Sequence, residues 1–283
     1  MLSPESLALL QASVQEQGYC TLAEAITPKH GQLLSDSYAL LMQESLEILS
    51  RAAEAGKSLA EFYKESDENL IVVPESNASH HICRFEYISS RSERIRAELI
   101  PYFQSLLFNM IGNGFKLFKD KCNVKNPGGG AFGCHQDYPA YADFPAPYHL
   151  TMAIFLDSPS LTNGCLEMAK NWKAISDDVT TLDRNYPGKL IFKRDRHSGD
   201  VLPEITEQFE WEQILTTCND IVLFNSFVPH RSSTNASNGS RRAFFFTFTP
   251  ESFGDHYGHY YRAKRQAYDN PTFHLSTPTD RGL

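Results

Sequence analysis

The feature that most constrains the fold of this chain is a change of hydrophobic period near residue 113. Before it, apolar residues recur every three or four positions. Leu7, Leu9, Leu10 and Val14 follow Ser3 and Pro4, and Leu33, Leu34, Tyr38, Leu41, Met42, Ile48 and Leu49 follow Pro28. That spacing gathers apolar side chains on one face of a helix, and a proline suits the first turn of each. The predicted helices close near Gly18 and before Gly56, with a short strand at Tyr19 to Leu22 between them and Ser45 interrupting the second stripe. A third helix is expected from Arg91 to Ile100, with Pro101 to Met110 continuing it. Beyond residue 113 the apolar runs shorten, and Pro, Gly, Asn and Asp bound them. Phe115 to Val124, Tyr148 to Asp157, Gly164 to Met168, Leu190 to Phe192, Asp220 to Asn225 and Arg241 to Thr249 read as strands. Helices first and strands later predict an α+β chain, mainly β in its core, with a helical layer packed on it. There is no repeat and no linker-like tract, so residues 1–283 read as a single domain.

Bulk properties exclude several partners. Of 283 residues 41% are hydrophobic and 21% charged, an ordinary globular balance. The formal charge of -8, from 26 basic against 34 acidic residues, repels a phosphate backbone, so nucleic acid is not an expected partner. No run approaches the roughly 20 apolar residues that span a bilayer, and the acidic start lacks a secretory pattern. A cytoplasmic location follows as the expectation. Cys20, Cys83, Cys122, Cys134, Cys165 and Cys218 contain no C-x-x-C pair and read as reduced packing residues. The oligomeric state is left open.

Against this background three ligand-type residues stand out: His135 and Asp137, two positions apart, and His230 far downstream. On a strand, side chains at i and i+2 share a face, so His135 and Asp137 reach one metal while Gln136 turns away. Cys134 points to the opposite side. Two imidazoles and one carboxylate make the facial triad that leaves three positions open on Fe(II). The His-x-Asp pair alone is as compatible with a hydrogen-bonded histidine as with a ligand pair. Its surroundings favour the ligand reading. Asn126-Pro127-Gly128-Gly129-Gly130 is a turn that leads into the site, and with no Gly-Lys-Ser/Thr after it, it is not a phosphate loop. Downstream, Arg241 shares a strand face with Ala243, Phe245 and Thr247, and Arg242 shares the other with Phe244 and Phe246. Only one of the two arginines should reach the site, where a guanidinium can take a carboxylate in two parallel hydrogen bonds.

The run from Lys125 to Tyr141, KNPGGGAFGCHQDYPAY, together with FNSFVPHRSSTNASNGSRRAFFFTFTP from Phe224 to Pro250, resembles the phytanoyl-CoA dioxygenase superfamily of Fe(II)- and 2-oxoglutarate-dependent oxygenases. Most of the chain can be laid on that pattern, including the helical N-terminal part and the Asn163-Gly164-Cys165-Leu166 turn. The resemblance implies a double-stranded β-helix, or cupin-like jelly roll, with N-terminal helices on one sheet. It implies iron held by His135, Asp137 and His230 as the catalytic centre. It implies 2-oxoglutarate and O2 as cosubstrates, with the distal carboxylate of 2-oxoglutarate on Arg241, Ser232 as helper and Thr151 as a further contact. Succinate and CO2 would be released. Related halogenases lack the carboxylate ligand, so Asp137 favours hydroxylation over halogenation and leaves desaturation and cyclisation open.

Within the superfamily the chain is similar to bacterial dioxygenases of 2-aminoethylphosphonate and its N-methylated relatives, which hydroxylate the carbon next to phosphorus. The likeness rests on Pro139-Ala140-Tyr141 after the His-Gln-Asp run, on Pro229-His230-Arg231-Ser232, and on Gly254-Asp255-His256 leading to Tyr260-Tyr261 and Lys264-Arg265. It implies a small, zwitterionic organophosphonate as partner, with Tyr141, Asp255, Tyr261 and Arg265 as candidate contacts. An amphipathic helix closing the sandwich explains the C-terminal cluster equally well. The chain departs from its relatives at Lys170-Asn171-Trp172-Lys173, where a Gly-Ser-His turn is common; Asn171 could still take a left-handed conformation there. His256 and His259 lack a third ligand nearby, and His80, His81, His149, His197 and His274 read as structural or exposed. Two other classes stay open: the same chemistry on an acyl-CoA, amino acid or natural-product intermediate, and a cupin-like metal-binding protein independent of 2-oxoglutarate.

Overall fold

A computed structural model of the chain describes residues 4–75, 78–181, 188–270 and 273. Ser3, His274 and the side chain of His80 lie outside the described residues. The first helix, Pro4–Glu16, ends before Gly18, whose φ of 89° turns the chain into a strand. The long helix Pro28–Glu54 is capped by Thr27, whose hydroxyl accepts from the His30 N–H at 3.2 Å, with Pro28 in the first turn. Its buried stripe is Leu33, Leu34, Ser37, Leu41, Ser45, Ile48 and Ala52. Ser45 keeps its place in that stripe because its hydroxyl donates to the Leu41 carbonyl at 2.6 Å, satisfying the buried oxygen within the helix.

The third helical region starts later than the pattern suggested. A short helix at Ile88–Arg91 breaks at Ser92, and a π-helical turn at Ile95–Leu99 runs into the α-helix Ile100–Ile111. Pro101 cannot donate back to residue 97, and its ring would crowd that carbonyl. The Ile100 N–H instead reaches Ile95, one residue further back, and this wider turn absorbs the proline.

Thirteen strands are present among the described residues: β1 Tyr19–Leu22, β2 Ile71–Glu75, β3 Ala78–Glu86, β4 Phe115–Lys125, β5 Phe132–His135, β6 Leu150–Phe155, β7 Leu166–Ala169, β8 Asp177–Val179, β9 Gly188–Leu190, β10 Trp211–Ile214, β11 Ile221–Asn225, β12 His230–Ser232 and β13 Arg241–Pro250. A seven-stranded sheet has the order β1-β11-β6-β13-β4-β3-β2, and a four-stranded sheet has the order β10-β7-β12-β5. Every pairing in them is antiparallel. The two sheets form a jelly roll, and the helices cover the outer face of the larger one. Phe103 packs on Phe246 at 5.2 Å, and Tyr38 on Phe85 at 6.0 Å.

Three further expectations differ from the structure. The β2–β3 hairpin interrupts the supposedly helical half, because Ile71-Val72-Val73 is a β-branched run that extends the large sheet. The strand expected at Leu190 to Phe192 ends at Leu190, and Phe192 is exposed. Asn171 is right-handed at φ -95°, and its amide binds Gln208 and Glu210 across the chain. All six cysteines are free. No helix among the described residues is long and apolar enough to cross a membrane.

Candidate active site

His135 ends β5 and His230 opens β12, and the two residues are direct register partners in the smaller sheet. Their rings lie 4.2 Å apart, centroid to centroid. Asp137 is not on the strand. Its φ of -72° and ψ of -32° put it at the head of the 3-10 turn Tyr138–Tyr141. The strand alternation therefore does not place its carboxylate; a turn does, and Gln136 pins that turn. The Gln136 amide donates to the carbonyls of Lys189 at 2.9 Å and Phe227 at 2.5 Å, and accepts from the Ile191 N–H at 2.9 Å. With Gln136 fastened outward, the side chains on either side of it converge inward.

The donor atoms of His135, Asp137 and His230 all lie within 4.8 Å of one another, and all three residues are buried. Each histidine has its Nδ1 tied to a backbone carbonyl, Gly133 at 2.8 Å for His135 and Val228 at 2.9 Å for His230. That bond places the proton on Nδ1 and turns a neutral Nε2 inward, as metal-bound imidazoles require. Burial lowers the pKa of both rings, that of His230 to about 4. Burial alone would raise the Asp137 carboxyl, but His230, Lys121 and His135 outweigh it and bring it down to about 2. A neutral, neutral, anionic donor set fits a divalent ion with open positions.

Across the cavity, β13 presents Arg241, fully enclosed and with no partner for its Nε among the described residues. Burial pushes the guanidinium down to about 10, which leaves it protonated at neutral pH. Arg242 faces the other way, pairs with both Asp157 oxygens at 2.7 and 2.8 Å, and lies over the Tyr38 ring of the helical layer. Opposite Arg241 in register is Lys125, a residue that no motif in the sequence marks as part of the site. Its Nζ donates to Ser232 Oγ at 2.8 Å and to the Ser233 carbonyl. Burial first, then Arg241, depress its pKa to about 6. Arg241 and Ser232 both line the cavity that holds the three metal-type residues. Thr151 is buried and does not line this cavity; its Oγ1 lies 2.9 Å from that of its register partner Thr247.

The substrate candidates separate. Tyr141 lines the cavity, while Asp255, Tyr261 and Arg265 are absent from its wall. Asp255 is exposed and accepts from the Tyr257 N–H, Tyr261 donates to the Asp120 carbonyl, and Arg265 ties the helix Tyr257–Gln266 to Glu68 and Asn69. The C-terminal cluster is thus the packing face of a closing helix. In its place, Arg84, Lys119, Lys121 and Asn123 from β3 and β4 line the cavity. Their signal in the sequence was the alternation Lys119, Lys121, Asn123, Lys125, which on an uncovered sheet would be a solvated face. His149 is fully buried, packed on the Phe118 and Tyr141 rings at 4.5 and 4.9 Å, and neither of its ring nitrogens has a hydrogen-bond partner among the described residues; burial keeps the imidazole neutral.

The profile of the phytanoyl-CoA dioxygenase (PhyH) family matches residues 14–243, from the first helix to the start of β13. The chain belongs to the phytanoyl-CoA dioxygenase family. The matched segment contains all three metal-type residues and Arg241. A 2-aminoethylphosphonate dioxygenase from an uncultured bacterium is 33% identical over 188 residues, which are 66% of this chain and 66% of that relative, just under two thirds of its length. A methylphosphonate hydroxylase from Gimesia maris is 30% identical over 159 residues, covering 56% of this chain and 55% of the relative. Among solved structures, EctD from S. alaskensis with 2-oxoglutarate and 5-hydroxyectoine matches with a TM-score of 0.63 at 15% identity, over 87% of this chain and 76% of that one. The epimerase SnoN from nogalamycin biosynthesis matches with a TM-score of 0.57 at 15% identity, over 88% and 84%. These two likenesses speak to the fold.

Proposed function

We infer that the chain is an Fe(II)- and 2-oxoglutarate-dependent dioxygenase that hydroxylates a small polar substrate, the carbon next to phosphorus of a zwitterionic aminoalkylphosphonate. The observation that carries the reaction class is the pairing of two half-sites across one cavity. One sheet offers a buried donor set with both Nε2 atoms free to bind metal, and the other offers a buried guanidinium with an unpartnered N–H. Bound Fe(II) would supply O2 activation coupled to decarboxylation of 2-oxoglutarate: one oxygen atom enters the substrate C–H bond, the other ends in succinate, and CO2 leaves. His135, Asp137 and His230 would hold the ion on one face. Arg241 and Ser232 would hold the distal carboxylate of 2-oxoglutarate, orienting its other end toward that ion. The buried walls keep water away.

The phosphonate assignment draws on the two phosphonate-named relatives, and a reducing cytoplasm suits the six free thiols. Anaerobic addition of Fe(II) and 2-oxoglutarate should produce the weak visible charge-transfer band of this class. Oxygen should then release succinate in step with the substrate, faster with an aminoalkylphosphonate than with amino acids or acyl-CoA. Absence of 2-oxoglutarate binding would sink the reaction class, and succinate release driven only by a non-phosphonate would sink the substrate assignment.

A further inference from the structure

The inward-facing row on β4 divides into two cationic centres. Lys125 belongs with Arg241 and Ser232, as described above. Lys119 and Lys121 stand beyond Asn123, beside Arg84 of β3, which is the register partner of Asn123. At about 3.3 Å per residue, Lys121 lies about 13 Å along the strand from Lys125. A five-carbon dicarboxylate anchored at Arg241 and turned to the metal cannot also reach it. The second centre is therefore left for another ligand.

That centre has more cations than carboxylate. Glu86, fully buried, pairs with Arg84 at 2.8 Å and Lys264 at 2.7 Å, and stands 3.9 Å from Lys119. Arg84 is 3% exposed and Lys119 6%, so water screens neither charge. Lys121 forms no ion pair among the described residues, and its ammonium sits 5.1 Å from the centre of the Phe245 ring, within the cavity. Buried positive charge in excess of its partners is costly until an anion joins it.

We propose that Arg84, Lys119 and Lys121 form the subsite for a doubly charged tetrahedral headgroup, the phosphonate of the substrate, and that this centre selects phosphonates over carboxylates. The proposal rests on the dioxygenase reading above. A phosphonate brings up to two charges and three acceptor oxygens to three cationic donors, whereas a carboxylate brings one charge and two oxygens. With the headgroup held there, the carbon bonded to phosphorus is the first one available to the metal side of the cavity. Asp137, whose carboxylate interacts with Lys121, marks that side.

The test uses the protein loaded with Fe(II) and 2-oxoglutarate under anaerobic conditions, titrated calorimetrically with 2-aminoethylphosphonate and with 3-aminopropanoate, its carboxylate counterpart. The wild type should prefer the phosphonate by about 30-fold or more, equivalent to losing one charge-assisted contact of about 2 kcal/mol. Lys121→Met should weaken phosphonate binding by a similar factor, leave 2-oxoglutarate affinity within about twofold, and remove most of the preference. Lys121→Arg should keep the preference. Lys121 carries the test because it forms no ion pair, whereas Arg84 and Lys119 are wired to Glu86 and their variants threaten folding; thermal unfolding confirms that each variant is folded. Wild-type phosphonate affinity in Lys121→Met, or a wild-type preference for the carboxylate, overturns the proposal. Failure of the wild type to bind 2-oxoglutarate is a different result and strikes the dioxygenase reading itself.

Discussion

Replacing Arg241 by Met is the sharpest probe of how the two half-sites divide their work. Arg241 is buried, protonated and lacks a partner for its Nε, so a carboxylate from 2-oxoglutarate would complete a desolvated, hydrogen-bonded charge pair. Removing one member of such a pair costs about 2–5 kcal/mol, and 1.4 kcal/mol is about tenfold in Kd, so 2-oxoglutarate should bind at least about 30-fold more weakly. Stability of the metal-free protein should not fall, because an uncompensated buried cation is removed and the Met stem preserves packing near Phe155. The matched control is Arg242→Met, which breaks a half-exposed pair with Asp157, costs at most about 1 kcal/mol, and should leave 2-oxoglutarate affinity unchanged. The assay is an anaerobic titration of 2-oxoglutarate into Fe(II)-loaded protein, read by the charge-transfer band and by ligand-induced thermal stabilisation. Equal affinity in Arg241→Met and wild type, with the fold intact, would refute the assignment of Arg241.

Two further perturbations examine the supports. Gln136→Ala removes a buried amide that makes three hydrogen bonds and should cost about 2–4 kcal/mol, seen as a fall in Tm of roughly 5–10 °C. It should also weaken Fe(II) binding, measured by competition with a chelator, and an unchanged iron affinity would show that the turn holds Asp137 without Gln136. Lys125, with its pKa depressed to about 6 by burial and Arg241, is neutral in the folded protein and charged in the unfolded chain between that value and about 10.4. In that window the unfolded chain binds the extra proton, so wild-type stability rises with pH at about 1.4 kcal/mol per unit from this group. Lys125→Met abolishes that contribution: its stability relative to wild type should be greatest near pH 7 and shrink toward pH 10. Denaturant midpoints with the same offset at both pH values would mean that Lys125 stays charged in the fold.

Much of the architecture was legible from the sequence because periodicity is a local property. The helix at Pro28–Glu54, the strands at residues 115–125, 221–225 and 241–250, and the opposite faces of Arg241 and Arg242 all follow from spacing along the chain. The hairpin at residues 71–86 was not legible, since its middle, Ser79-His80-His81, breaks any alternation. The role of the C-terminal cluster was not legible for a related reason. Tyrosines and arginines on a helix have the same composition whether they grip a substrate or fasten the helix, and Arg265 and Tyr261 do the latter.

The sequence by itself determined the residue types available for chemistry, two imidazoles, a carboxylate and two arginines on opposite faces of one strand, because backbone period and ligand chemistry need no knowledge of distant neighbours. Only the tertiary structure decided how they meet. Asp137 reaches the histidines through a turn pinned by Gln136 rather than through strand alternation, and His230 arrives opposite His135 because β12 pairs with β5. It also decided that Lys119, Lys121 and Lys125 face inward. Alternation separates a strand's two faces, but which of them meets water depends on what covers the sheet, and here a second sheet covers one face and helices the other.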